Sequence, residues 1–287
     1  MKKPNLFIVG EPKCGTTSLH EMLSLHPDIF MSEPKELGYF LTDMPGSVRT
    51  EEQFLSFFAK VKDQKYLGES TPTYLLSKKA AEEICRFNPD AKIIMSFRNP
   101  PEYLYSLHSQ MVFNLLEEEP DFNKALKKSR PAKKLRHRII LDYDERLRFF
   151  DHAKRYFDLF PMKNIFVMVF EEYRDDPIKV CKSIFDFLGI DSSFEPKKLQ
   201  SNPNKIIRYK GIKALTDRLN ARKIRIMLPR PIYDAVAGVY RRTIFVEKER
   251  APLDNSTRDA IIKKTREQVR KLSKLTGKDF VGYWNYQ

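Results

Sequence analysis

The segment Gly10-Glu11-Pro12-Lys13-Cys14-Gly15-Thr16-Thr17 constrains this chain more than any other, because of what stands on either side of it. Asn5 to Val9 is a continuous apolar run, and Leu19, Met22 and Leu23 recur at helical spacing between Thr16 and Leu25. The order is therefore strand, glycine-bracketed turn, helix, and the helix points its open N–H groups and the positive end of its dipole at the turn. Such a turn holds a phosphate. The glycines have the spacing of a nucleoside triphosphatase loop, but Thr16 occupies the place of that loop's lysine and Lys13 lies inside the turn. A lysine there reaches the oxygen that bridges a phosphate and a departing group, and neutralises the charge that develops on it.

The same architecture recurs downstream. Lys92 to Phe97 reads as a strand, Asn99-Pro100-Pro101 as a helix start, and Tyr103, Leu104, Leu107 and Met111 as the buried face of the helix that follows. Between the two copies lie a short strand at Lys65 to Gly68 and a helix from about Lys78 to Phe87; beyond them Asn164 to Phe170 is apolar and β-branched, and Ile178 to Leu188 is helical. Strands alternating with helices predict an α/β fold, a P-loop-type parallel sheet flanked by helices on both faces. From about Lys205 the chain reads as helical and basic, ending in Phe280, Tyr283, Trp284 and Tyr286, which are expected to pack back on the core. With 287 residues, 41% of them hydrophobic and 31% charged, residues 1–287 are expected to form a single domain.

Arg98 closes the second strand, and Ser106 follows eight residues later on the next helix. An Arg fork gives charge-assisted bonds to a phosphate and a nearby hydroxyl completes the cage. Two anion cradles in this order resemble those of the 3′-phosphoadenosine 5′-phosphosulfate (PAPS)-dependent sulfotransferase family. Pro12-Lys13-Cys14-Gly15-Thr16-Thr17 matches its Pro-Lys-x-Gly-Thr-Thr turn at every fixed position, and Arg98 with Ser106 matches its 3′-phosphate signature. The resemblance extends to His26-Pro27-Asp28-Ile29, to Phe170-Glu171-Glu172-Tyr173 with Asp176-Pro177, and to Leu275-Thr276-Gly277 through Trp284, and is strongest to the heparan sulfate sulfotransferase and bacterial group. It implies sulfonyl transfer from PAPS, leaving 3′-phosphoadenosine 5′-phosphate (PAP), with no metal. The residues Pro12 to Ser18 would grip the 5′ end, Arg98 and Ser106 the 3′ end, and Asn204, Lys205, Arg208 and Lys210 would form a basic loop over the nucleotide.

Attack on sulfur requires the acceptor to lose a proton, so a general base is expected. Glu36, in Lys35-Glu36-Leu37-Gly38-Tyr39-Phe40, resembles the Lys-Glu-x-His-Phe-Phe segment of the family and is the preferred base. Glu69 closes a strand at the same sheet edge and is the alternative, or else orients Lys13 or the acceptor. None of His20, His26, His108, His137 and His152 lies in a segment matching the branch of the family that uses a histidine base. By the resemblance, Gly38 stands where many polysaccharide O-sulfotransferases place His and Ser70 where some place Lys, which implies that contacts to an anionic sugar chain are missing. Tyr39, Phe40, Tyr74 and Phe113 are expected to line an acceptor mouth suited to a lipid, steroid, phenol or neutral sugar alcohol or amine.

The net charge of +14 favours anionic ligands without choosing among them. The basic run from Lys124 to Arg138 reads as a solvated face rather than a polyanion track. Cys14, Cys85 and Cys181 are too few and scattered for a disulfide framework, and their spacing suggests no metal site. Together with an N-terminal run too short for a signal or a membrane span, this points to a cytoplasmic protein. Two rivals remain: a P-loop kinase, requiring Mg²⁺ and ATP, and a nucleic-acid-binding module, for which the basic and aromatic interleaving of a known module is missing.

Overall fold

The computed structural model describes residues 2–44, 46, 48–114, 116–127, 142–196, 205–207, 245–247 and 251–286. Its centre is a five-stranded parallel sheet of β1 (Leu6–Gly10), β2 (Ile29–Met31), β3 (Tyr66–Ser70), β4 (Lys92–Phe97) and β5 (Ile165–Val169), in the order β2-β3-β1-β4-β5. Leu6 of β1 pairs with Gly68 on one side and Lys92 on the other. The chain crosses from β1 towards β3 and β2, and from β4 towards β5. The point where the winding reverses therefore falls between β1 and β4, and in open α/β sheets ligands gather outside the carboxyl ends of the strands at that point.

Every residue of β1 is buried, as expected of a central parallel strand covered on both faces. Leu6 and Ile8 join one core cluster with Leu19, Met22 and Leu23 of α1 (Thr16–Leu23) and with Val180, Ile184 and Phe185 of a later helix, Pro177–Leu188. Phe7, in the alternate register, meets Phe40 edge-on at 5.6 Å between ring centroids. The remaining helices of this part are α2 (Glu51–Ser56), α3 (Ala80–Phe87) and the start of α4 (Pro100–Phe113), followed by Tyr143–Arg146, Phe149–Phe157, Phe170–Asp175, Pro177–Leu188, Asn255–Thr276 and Phe280–Tyr283.

Helix ends follow local chemistry. Asp176 caps its helix by accepting from the Lys179 N–H, with Pro177 at the first helical position and Gly189 at φ +64° ending it. Asp254 and Gly277 do the same for Asn255–Thr276.

By compactness the chain divides into one unit of residues 1–107, 128–199 and 254–287, which holds the parallel sheet, and a second of 108–127 and 200–253. In the second unit the described residues include helix Phe122–Lys127 and the antiparallel pair β6 (Lys205–Ile207) and β7 (Phe245–Glu247). That pair adds two short strands to the helical, basic C-terminal part expected from about Lys205. Short runs of β-branched and aromatic residues such as Ile206-Ile207 and Phe245-Val246 suit a strand pair better than a helix. Phe170 likewise begins a helix rather than ending β5, and β2 is a strand too short to stand out in the sequence.

Candidate active site

The turn after β1 is shaped by its two glycines. A Cβ on Gly10 would fall 2.4 Å from Leu75 Cβ, and one on Gly15 would lie 3.0 Å from the Tyr173 ring on a backbone already at φ +80°. Gly10 leaves no room for a side chain, and at Gly15 one would be strained and tightly packed. Lys13 itself sits at φ +66°, a left-handed conformation that costs a non-glycine residue roughly 1–2 kcal/mol. Strain of this kind persists where the surroundings hold it, and it marks functional turns. Here the Arg98 Nη1 donates to the Lys13 carbonyl at 3.3 Å, and the Ser96 Oγ donates to the Cys14 carbonyl at 2.5 Å. The Leu19 N–H makes its helical bond to the Gly15 carbonyl, so the amides of Thr16, Thr17 and Ser18 precede the first intrahelical bond and open towards the turn.

Arg98 follows β4 directly, so the two cation positions of the sequence reading adjoin across the reversal between β1 and β4. Its guanidinium lies over the Phe170 ring at 4.6 Å. Glu171 secures the adjoining backbone: its Oε1 accepts from the Asn99 N–H at 3.0 Å and its Oε2 from Trp284 Nε1 at 3.1 Å. Phe280, Trp284 and Tyr286 thus pack back on the core as their sequence suggested, whereas Tyr283, expected to join them, is 52% exposed. Ser106 is buried on α4, roughly 9 Å of helical rise beyond Pro100. Ser18 shares a hydrogen bond with Tyr173 Oη at 2.8 Å.

The two candidate bases belong to one neighbourhood. The segment from Glu36 to Gly38 lies over the end of β3, with the Glu36 N–H bonded to the Ser70 carbonyl, the Leu37 N–H to Glu69 Oε1 and the Gly38 N–H to Thr71 Oγ1. Glu36 is held at φ +63° with its side chain 60% exposed, 2.9 Å from Lys35 Nζ. Lys35 in turn donates to Thr17 Oγ1 at 3.2 Å, which links Glu36 to the mouth of the phosphate turn through a second lysine. Glu69 is fully buried, and burial raises its carboxyl to about 7, only partly offset by the bonds from Thr71 and the Leu37 amide. Gly38, at φ +66°, occupies a backbone conformation that a histidine would adopt only under strain.

Other expectations fall differently. Phe40 and Tyr74 belong to an aromatic core with Phe54 and Phe87, so they do not line a mouth; Phe40 pairs with Tyr74 at 5.7 Å and with Phe87 at 5.3 Å. Tyr39 stacks on Phe54 at 4.7 Å and is half-buried, and Phe113 is half-buried in the second unit. His26 is committed on both ring nitrogens, to the Asp191 carbonyl and the Asp28 amide. His108 bonds the Glu119 carbonyl, and burial lowers His20 to about 4. Asn204, Arg208, Lys210, His137 and Lys128 to Arg138 lie outside the described residues, as does the side chain of Lys205.

Sequence reasoning overlooked Glu11 and its partners. The Glu11 carboxylate is fully buried, accepts from Tyr103 Oη at 2.7 Å and pairs with Arg146 at 3.3 Å. An ionisable residue between two loop glycines was the visible signal, but its partners stand 92 and 135 residues away.

Fold and turn together define an α/β domain with a glycine-bracketed strand-to-helix turn at the reversal of its sheet. The match of the sulfotransferase domain model to residues 3–215 shows that the chain belongs to the PAPS-dependent sulfotransferase family. It is 29% identical over 216 residues to human heparan sulfate glucosamine 3-O-sulfotransferase 6, covering 70% of this chain and 57% of that protein. It is also 24% identical over 243 residues to a bifunctional heparan sulfate N-deacetylase/N-sulfotransferase 1 of Caenorhabditis briggsae, covering 77% of this chain and 27% of that protein. The chain thus spans only part of the length of these curated relatives. A sulfotransferase from Alicyclobacillus acidocaldarius has the same fold, with TM-score 0.74 at 24% identity over 99% of this chain and 100% of that one. Among the described residues no helix is long and apolar enough to cross a membrane.

Proposed function

We propose that this chain transfers a sulfonyl group from PAPS to a hydroxyl or amine of a small-molecule, lipid or carbohydrate acceptor. The observation that supports this reading is the bond from Arg98 Nη1 to the Lys13 backbone carbonyl at 3.3 Å, which joins the residue after β4 to the turn after β1, so that both cation-bearing segments stand at the carboxyl ends of neighbouring strands. The family match over residues 3–215 includes segments of both compact units, which supports reading them as parts of one sulfotransferase domain.

When bound, PAPS supplies the sulfonyl group and a phosphate leaving group. The residues Pro12 to Ser18 hold the 5′ phosphate through the turn and the open amides of α1, while Arg98 and Ser106 hold the 3′-phosphate. Glu36 accepts the acceptor's proton as the new bond to sulfur forms and the sulfur–oxygen bond to the phosphate breaks. The electron pair leaves on that phosphate oxygen, where Lys13 neutralises the charge; positioning and charge stabilisation dominate such transfers. Glu69, bonded to the Leu37 amide, holds the segment that presents Glu36. A second reading makes Glu69 the base, favoured by its carboxyl lying near 7, a value suited to proton transfer at neutral pH. With Phe40 and Tyr74 in the core, Tyr39 remains the aromatic candidate on the Glu36 segment for contact with the acceptor.

The test is to incubate the purified protein with ³⁵S-labelled PAPS and a fractionated extract of its own cell, and to identify labelled products by mass spectrometry. A sulfate ester or sulfamate formed by the wild type and not by Lys13→Ala is the expected result. Binding of PAP with no labelled product in any fraction would contradict the assignment.

A further inference from the structure

Behind the phosphate turn lies a buried charged cluster that the transfer chemistry does not use. Glu11, the residue between Gly10 and Pro12, is fully buried, as is His152, and Tyr103 and Arg146 are 0% and 1% exposed. The Glu11 N–H donates to the Ser96 carbonyl of β4 at 2.6 Å. Its carboxylate Oε2 accepts from Tyr103 Oη at 2.7 Å and from Arg146 Nη1 at 3.3 Å. Oε1 stands 3.6 Å from His152 Nδ1, whose other ring nitrogen lies 3.4 Å from Glu145. Burial works to raise the Glu11 carboxyl, but His152, Arg146 and Tyr103 outweigh it and hold the group below the usual carboxylate range.

The layout of these bonds is directional. Glu11 lies two residues before Lys13, in the turn assigned to the 5′ phosphate, and Tyr103 lies one helical turn before Ser106, on the helix assigned to the 3′-phosphate. One carboxylate therefore ties the first cradle to the element that carries part of the second. A buried ion pair adds little net stability, since desolvation offsets most of its attraction. What the pair does supply is fixed geometry between two elements.

We infer that Glu11, through Tyr103 and Arg146, is a positioning residue that sets the separation of the two anion cradles and so the preference for a nucleotide phosphorylated at both its 3′ and 5′ ends. The inference rests on the proposed assignment of Lys13 and of Arg98 with Ser106 to opposite ends of one nucleotide.

The test measures, by calorimetry, the affinities for 3′-phosphoadenosine 5′-phosphate and for adenosine 5′-phosphate and takes their ratio. Tyr103→Phe removes only the hydroxyl that joins Glu11 to α4. Glu11→Gln keeps an acceptor but removes the charge, and Glu11→Gln combined with Arg146→Met serves if the lone arginine prevents folding. Tyr156→Phe is the control, deleting an equally buried hydroxyl that bonds the Tyr74 carbonyl at 3.1 Å and joins neither cradle. The ratio is expected to fall at least about fivefold in Tyr103→Phe and in the Glu11 variants, within the range by which residues outside a site modulate it, and to stay unchanged in Tyr156→Phe. A ratio unchanged in the Tyr103 and Glu11 variants overturns the inference, and so does an equal fall in the control. A wild type that binds both nucleotides equally brings down the two-cradle assignment and this inference with it, an outcome distinct from the other two.

Discussion

Replacing Glu69 with Gln isolates a single buried charge. In the folded protein the Glu69 carboxyl lies near 7 against an ordinary 4.5, because burial disfavours the ionised form more than Thr71 and the Leu37 amide favour it. Between those two values the folded chain holds the proton that the unfolded chain has already released. The stability conferred by the neutral group is complete below about pH 4.5, declines as pH rises through this window, and is lost above 7. Integrated over the window the loss amounts to about 3 kcal/mol. A glutamine is neutral throughout and keeps an oxygen for Leu37 and Thr71, so any cost of its amide group does not vary with pH. Urea unfolding of both proteins from pH 5 to pH 8 gives the comparison, since other titrating groups cancel in the difference. The variant is expected to gain on the wild type by up to about 3 kcal/mol across that range. A difference that stays flat with pH would refute the argument that an undercompensated carboxylate is buried at the end of β3. Because the bond to the Leu37 amide survives, the same variant is expected to keep its turnover if Glu69 only holds the Glu36 segment.

Glu36→Gln is expected to abolish turnover while leaving PAP affinity unchanged by calorimetry; loss of turnover in Glu69→Gln but not in Glu36→Gln would transfer the role of base to Glu69. Lys13→Ala is expected to lower turnover at least ~10²-fold, the scale for removing one charge-stabilising group, as measured with labelled PAPS. Gly15→Ala should destabilise the protein more than Gly189→Ala in urea unfolding. Both positions have positive φ, costing roughly 1–2 kcal/mol, but only at Gly15 does the new methyl also press on Tyr173 and Phe170.

The phosphate turn was legible because its cause is local. An apolar strand, two glycines and a helical repeat are contiguous in the chain, and the sheet around them follows from alternation of period. Arg98 was legible for the same reason, as the residue after a strand. What the sequence concealed depends on distance along the chain. Nothing near Glu11 announces Arg146 or His152, and nothing near Glu69 announces that the Leu37 amide will close over it. The aromatic residues failed as guides for a related reason: Tyr39, Phe40 and Tyr74 are alike in composition, and only packing against Phe54 and Phe87 separates the half-buried Tyr39 from the core pair. Short runs of β-branched and aromatic residues at Ile206-Ile207 and Phe245-Val246 read in sequence as part of a basic helical stretch, because a strand pair shows only when both partners are known.

The central claim is that Lys13 and Arg98 grasp opposite ends of one nucleotide, and a thermodynamic cycle on Arg98 tests it most directly. Calorimetric titrations of the wild type and Arg98→Ala, each with and without a 3′-phosphate on adenosine 5′-phosphate and in the presence of a chelator, give the coupling between side chain and phosphate. The account predicts that losing the 3′-phosphate weakens binding to the wild type at least about tenfold, the scale of a hydrogen bond to a charged group, and barely changes binding to the variant. Equal losses in both proteins would contradict it.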